Sequence, residues 1–314
     1  MLIPINKLPR LRYSGINEFC CVARLVAPRF GGAAINRFNI GADRFFASTI
    51  GTGSISILAY TYQLVQASIG LLFAAFGKTL MPALSRQVVR NGPESLRELI
   101  PKCIGFAGFA LPPLVIFFAF FSEPIIRILF QHGAFDLQAT HLAAEVAFFY
   151  SIGAFFSGFC MILQGAFYAL RDTLTPFKVN LMALGLNIIL DIILMKLIGL
   201  PGIALGSAIV ALCSMIYLYF ILRDKIGVMD NGKVIRSFLK IIPVTIVLGI
   251  VGWANKGWMM LFLASESIGM QIFSVTFIFI LFVGFYLFVC RGLRVEEYLY
   301  IARFFGKGLR WTKY

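Results

Sequence analysis

The chain has 314 residues, 60% of them hydrophobic and 13% charged, with a net charge of +14 and a mean hydropathy of +0.87. Soluble domains average about 25% charged residues, so this composition excludes a water-soluble fold. The positive balance reads as membrane-side loops rather than a nucleic-acid surface, because no basic stripe carries interleaved aromatics. The apolar runs are continuous rather than alternating, and backbone groups in lipid must bond internally, which leaves an all-α, polytopic transmembrane helix bundle.

A bilayer core of about 30 Å needs about 20 helical residues, and about eight such spans are predicted: Phe30–Thr52, Ile55–Leu84, Cys103–Ser122, Leu142–Leu163, Leu181–Met195, Gly202–Leu222, Ile241–Trp253 and Gln271–Cys290. The fifth and seventh are short cores expected to extend into their flanks. With eight spans, twenty-one Lys and Arg residues fall on the side of the two tails, and three, Arg127, Lys196 and Lys256, on the other. The positive-inside rule then puts both termini in the cytoplasm. The segment from Glu123 to Thr140 between the third and fourth spans is amphipathic and is expected to form a short helix at the outer interface. Residues 1–27 lack the basic head, apolar run and cleavage site of a signal peptide and are expected to form a cytoplasmic segment.

Charges inside a span are costly and mark a cavity or a partner. The first span, FGGAAINRFNIGADRFFASTIGT, is the outlier. At about 100° per residue its Asn36, Arg37, Asn39, Asp43, Arg44 and Ser48 fall within one half of the helix, with Phe38, Ala42 and Phe45 on the other. That half is expected to wall a wet, cationic substrate cavity; the alternative is a helix interface in which Asp43 pairs with Arg37 or Arg44. The second span adds Tyr60, Tyr62, Gln63 and Gln66, with the two glutamines three residues apart and so on one face. In the fifth span, Asn180, Asn187 and Asp191 share a face, and Asp191 in an apolar run needs a partner or water. His141 and Glu145 form an i,i+4 pair near the outer surface. In the inner loop, Pro176 disfavours a helical residue before it, and Asp172 or Thr173 is placed to cap the helix that follows. Arg171, Asp172, Thr173, Thr175 and Pro176 are also the candidates for a cytoplasmic gate.

No Ser/His/Asp set, HExxH, phosphate-binding glycine loop or GxGxxG occurs, so no catalytic residue and no nucleotide site are expected. The six cysteines include no CxxC pair and there are only two histidines, so no metal site or cofactor is expected. A cationic cavity in a helix bundle fits transport of an anionic substrate by alternating access, because the arginine fork binds phosphate oxygens in pairs.

Four stretches, in order, resemble the MurJ/MviN lipid II flippases, within the wider multidrug/oligosaccharidyl-lipid/polysaccharide exporter superfamily. They are Asp43–Gln87, with Pro82, Leu84 and Ser85 at its end; LFQHGAFD at Leu129–Asp136; FYALRDTLTP at Phe167–Pro176; and GLPGIALGSAIV at Gly199–Val210. The third is the most specific. The resemblance implies a fourteen-span family of two six-helix lobes and a final pair, of which this chain holds the second lobe (28–224) and the pair with a basic cytoplasmic tail (225–314). It implies a substrate, a polyprenyl-diphosphate-linked peptidoglycan precursor moved across the bacterial inner membrane, and a groove for its lipid tail between the last two helices. Membrane lipids are the other expected partners. Gln63 stands where the family carries a cavity arginine, and Arg37 and Arg44 on the neighbouring helix are expected to supply that cation. Half of a rocking pair cannot close a cavity, so the chain is expected to be a fragment or to act with a further lobe or partner chain. The competing expectations are a drug/cation antiporter or polysaccharide-lipid exporter of the same superfamily, and a non-transporting membrane scaffold for cell-wall synthesis.

Overall fold

The computed structural model describes residues 16–133, 135–229, 232–262, 268–293, 295 and 297–298. These form eight α-helices: α1 (Ile16–Ser48), α2 (Ser54–Asn91), α3 (Leu96–Phe130), α4 (Leu137–Ala169), α5 (Leu174–Ile198), α6 (Leu200–Ile226), α7 (Gly232–Phe262) and α8 (Ile268–Gly292), with a short 3₁₀ turn at Pro93–Ser95. Each predicted span falls on one helix, in order, except that the first, predicted to Thr52, overruns the end of α1 at Ser48. The helices run past the apolar cores because a bundle in lipid satisfies its backbone by continuing the helix to the interface. α1 starts at Ile16, inside the segment read as a cytoplasmic loop. Among the described residues five helices are long and apolar enough to cross a membrane: Pro93–Phe130, Leu174–Ile198, Leu137–Ala169, Leu200–Ile226 and Gly269–Gly292. α7 has a shorter apolar stretch, Phe238–Ala254. Polar side chains such as Arg37, Asp43 and Arg44 in α1, and Tyr62, Gln63 and Gln66 in α2, lower the hydropathy of the first two helices.

The helices alternate in direction. Phe177 near the start of α5 meets Gly31 in α1, Arg97 near the start of α3 donates to the Ile226 carbonyl at the end of α6, and Phe238 near the start of α7 meets Gly108. One end of the bundle therefore gathers the starts of the odd-numbered helices with the ends of the even-numbered ones. Two apolar clusters hold the helices together. The larger joins α1 to α6, with Leu58, Ile69, Leu84, Ile162, Leu163 and Phe167 among its fully buried side chains. The smaller lies where α3 meets α7 and α8, around Phe117, Phe121, Val244, Leu248 and Phe282.

The predicted interfacial helix is a point of correction. α3 continues unbroken to Phe130, so only residues 131–136 connect it to α4. The segment is amphipathic because one of its polar residues faces inward: Glu123 is buried, with its Oε1 2.9 Å from Nδ1 of His141 on α4. His141 thus faces Glu123 across the helix pair rather than Glu145 on its own helix. Asp136 then starts α4 by accepting from the Ala139 N–H at 2.8 Å.

α5 and α6 are joined by a tight turn at Gly199. Gly199 ends α5 at φ 69° and Pro201 sits in the first turn of α6, the usual stop and start chemistry. A Cβ on Gly202 would strike the Leu194 carbonyl, and one on Gly206 would come within 2.9 Å of Asp191 Oδ1. These two glycines, four residues apart, let the backbones approach as small residues do in membrane helix pairs. α3 contains Pro101, Pro112, Pro113 and Pro124. Pro113 has no N–H for the Phe109 carbonyl four residues earlier. The buried Tyr286 hydroxyl of α8 donates to that carbonyl at 2.7 Å, so α8 fills the gap left by the proline.

Two outcomes follow for unfolding in detergent. Gly202→Ala should destabilise by about 1–3 kcal/mol through overpacking. Tyr286→Phe should destabilise by about 1–3 kcal/mol, because the Phe109 carbonyl is left buried without a donor. Unchanged midpoints would refute the close approach and the proline patch, respectively.

A candidate substrate cavity

A cavity of about 570 Å³ lies between α1, α2, α4, α5 and α6. Of the predicted residues, Asn36, Asn39, Asp43 and Gln66 line it. Arg44 lines a narrow crevice with Leu58, Ala59 and Tyr62. Arg37 is exposed and lines neither. Ser48 turns its hydroxyl back to the Phe45 carbonyl at 2.6 Å. Tyr60 stacks on Phe130, with ring centroids 5.1 Å apart, and Gln63 is exposed. Gln63 and Gln66 therefore part company, and Tyr62, one turn before Gln66, lines the cavity in place of Gln63.

The geometry of α1 explains this split. The helix packs mainly on α5, so the edge of the polar half with Asn39 and Asp43 faces inward, and the other edge, with Arg37, Arg44 and Ser48, does not. The cation on the cavity wall is Arg29, one turn before Gly32 and Ala33 and one residue outside the first predicted span. Tyr150, Gln164 and Ser207 also line the cavity and were not singled out. Each is an isolated polar residue in an apolar run, and a lone amide such as Gln164 was the available signal.

Asp43 pairs with neither arginine of its own helix. Asn187 of α5 donates from Nδ2 to Asp43 Oδ1 at 2.8 Å and to Asp191 Oδ2 at 2.9 Å. Asn187 and Asp191 are fully buried and Asp43 nearly so. The Ser207 hydroxyl of α6 stands 3.5 Å from Asn187 Oδ1. Among the described residues no Lys, Arg or His forms an ion pair with either carboxylate. Two buried carboxylates without a basic partner are costly unless positive charge joins them. Hard oxygen donors suit a proton or a hard cation for that task. Among the described residues no group of three or more His, Cys, Asp and Glu is placed to hold a metal.

The turn after α4 is held by side-chain contacts. Asp172 accepts from the Thr175 N–H at 3.0 Å and from the Thr175 hydroxyl at 2.6 Å, so Asp172, not Thr173, caps α5. Pro176 sits in the first turn, where its missing N–H is tolerated. Lys225 from the end of α6 pairs with Asp172 and lies 5.7 Å from the centre of the Phe167 ring. Arg171 is exposed and takes a left-handed φ of 59°. Partial burial alone would raise the Asp172 carboxyl, but the Lys225 ammonium and the Thr175 donors outweigh it and hold it below the usual carboxylate value.

A family model described as lipid II flippase MurJ matches residues 5–270. The chain belongs to the lipid II flippase MurJ family. It is 26% identical over 260 residues to the lipid II flippase MurJ of Burkholderia cenocepacia, covering 82% of this chain and 50% of that protein. It is 29% identical over 219 residues to the probable lipid II flippase MurJ of Thermotoga maritima, covering 69% of this chain and 45% of that protein. The chain thus spans about half the length of the curated relatives it matches. Among solved structures, a lipid II flippase MurJ in an inward closed conformation aligns with a TM-score of 0.62 at 24% identity, over 90% of this chain and 57% of that one. An outward-facing multidrug resistance MATE family transporter of the MOP superfamily aligns at 0.56 and 18%, over 90% and 66%. These two likenesses speak to the fold: the MurJ-family chain shares its helix bundle with transporters of that superfamily. Membership in a family of flippases agrees with the expectation of a membrane transporter rather than an enzyme.

Two substitutions test the site's construction. Asn187→Leu should destabilise by about 3 kcal/mol in detergent unfolding, because two buried carboxylates lose their shared donor; a neutral result would refute the bridge. Asp172→Asn keeps the cap acceptor and removes the charge. Since the native carboxyl is held low, its pair with Lys225 stabilises above the unfolded value of about 3.9 and is lost as pH falls through the lower folded value. The variant should be less stable by about 1 kcal/mol at pH 7, a small figure because the pair is partly exposed. The gap should close in acid, as read from melting curves across pH 2–7. A gap that persists at the acid end would refute the charge pair.

Proposed function

We propose that this chain is the second lobe and final helix pair of a lipid II flippase, and that it walls the path by which an undecaprenyl-diphosphate-linked peptidoglycan precursor crosses the bacterial inner membrane. The observation that carries this reading is the polar cavity of about 570 Å³ inside a membrane helix bundle of the MurJ family. Amides at Asn36, Asn39, Gln66 and Gln164 offer donors and acceptors suited to a sugar–peptide head group, and Arg29 offers a cation for its diphosphate. Transport without covalent chemistry needs only that such a site face each side of the membrane in turn.

The division of the apolar core into an α1–α6 cluster and an α3/α7/α8 cluster supports reading α1–α6 as the lobe and α7–α8 as the added pair. The end of the bundle that holds Arg97, Arg171 and Lys225 is assigned to the cytoplasm, in line with the twenty-one-to-three division of Lys and Arg. The inner turn around Asp172 then lies where a cytoplasmic gate belongs. A first lobe, in the same or another chain, completes the cavity. The paired carboxylates Asp43 and Asp191 favour one second reading, a cation-coupled exporter of the same superfamily.

The test is rescue of a bacterium depleted of its own flippase, with this chain co-expressed with the first lobe of the Burkholderia cenocepacia relative. Growth and export of lipid II are expected, and Asn39→Leu/Gln66→Leu should reduce export about tenfold or more by removing polar contacts that only the substrate satisfies. Drug resistance without lipid II export would favour the second reading. Neither activity, with both chains present in the membrane, would sink the proposal.

A further inference from the structure

A second cavity, of about 560 Å³, opens beside the first, between the early part of α1, the later part of α2 and the α4–α5 turn. Its wall has two characters. Arg29 and Arg171 bring two guanidinium groups, while Val26, Phe30 and Met81 bring apolar surface. Phe30 is 73% exposed, so this surface is not part of the bundle's core. Among the described residues neither arginine forms an ion pair with a carboxylate, and the nearest acid in sequence, Asp172, is already taken by Lys225 and Thr175. The Arg29 side chain and the Arg171 backbone are held in place. The Arg29 guanidinium lies 5.0 Å from the centre of the Tyr168 ring. Arg171 sits at a left-handed φ of 59°, fixed by its N–H to the Tyr168 carbonyl at 3.0 Å and by the Asp172 N–H to the Phe167 carbonyl at 2.9 Å. These two bonds are those of a left-handed helix cap, so the backbone position of Arg171 follows from the way α4 ends. Arg29, Ala33 and Tyr168 line both cavities, so the two spaces share that wall.

We propose that this second cavity is an entry site for the diphosphate end of a polyprenyl-diphosphate substrate, with Arg29 and Arg171 on the phosphate oxygens and Val26, Phe30 and Met81 against the first isoprenoid units. The proposal rests on the flippase reading above and extends it to a residue pair and a waiting position outside the central cavity. Two guanidinium forks match the two phosphates of a diphosphate, whereas a phospholipid offers one. The apolar wall suits a chain that stays in lipid while its head group moves. Arg29, common to both walls, is the group that passes the diphosphate from one space to the next.

The experiment uses the 314-residue chain in phosphatidylcholine nanodiscs, titrated with farnesyl diphosphate, with binding read by native mass spectrometry and calorimetry. Binding is expected, weakened about tenfold or more in Arg29→Gln/Arg171→Gln by loss of both charge-assisted contacts. A charge-keeping Arg29→Lys/Arg171→Lys variant is expected to recover part of it, which separates lost recognition from a lost fold. Equal binding by the unmodified chain and the Gln variant overturns the entry site while leaving the central cavity untouched. Displacement of farnesyl diphosphate by phosphatidylglycerol as readily as by geranyl diphosphate overturns it as well, by assigning the arginines to an anionic lipid. Absence of binding to the unmodified chain also overturns it. The flippase reading is judged separately, by the rescue of depleted cells, so its failure and the failure of the entry site leave different records.

Discussion

Asn187 joins α1 to α5 by donating to Asp43 on one helix and to Asp191 on its own, and the shape of the cavity depends on that bridge. α1 is the least apolar of the described walls, with few means of holding itself in lipid. A buried polar contact is strong there because water is not available to replace it. It also sets the rotation of α1. With Asp43 turned toward α5, Asn36 and Asn39 face the cavity and Phe38 and Phe45 face outward, 71% and 67% exposed. Other polar contacts between helices stand beside this bridge: Glu123 with His141, Gln164 donating to Asn180 at 3.3 Å, and Asp172 with Lys225.

The other contacts are of a different kind. α5 and α6 touch through glycine, α3 and α4 through apolar side chains and the Glu123–His141 pair, and the α4–α5 turn is clasped to α6 by Asp172 and Lys225. α2 to α6 supply nearly all the buried side chains of the larger apolar cluster, to which α1 adds Ala47.

Much of this was legible in the sequence, for physical reasons that can be named. Runs of apolar residues set the eight helices, because lipid leaves the backbone no other way to bond. The helical wheel found the polar half of α1, and with it Asn36, Asn39 and Asp43. It could not say which edge of that half faces a neighbour: Arg37 is exposed, and Arg44 borders a crevice with Asp43, Tyr62 and Tyr150. Tyr60 and Gln63 were misplaced for the same reason: a face is read from one helix, a wall from several. Arg29 was passed over because it lies near the span's edge, where an arginine is ordinarily just a snorkelling charge. The segment after Glu123 looked amphipathic and was taken for a surface helix, because nothing in sequence announces that His141, eighteen residues on, meets that carboxylate.

The contact of Tyr286 with the Phe109 carbonyl has a further consequence for the last helix. Within α3 the carbonyls that face α8 already bond to N–H groups one turn ahead, except where a proline interrupts the ladder. A slide of α8 along α3 by one turn would set the hydroxyl against a carbonyl that needs no donor and would strand the one that does. The register of α8 is therefore discrete rather than continuous. A helix whose neighbours are mostly apolar, and which could otherwise drift along a smooth groove, is keyed to a single notch.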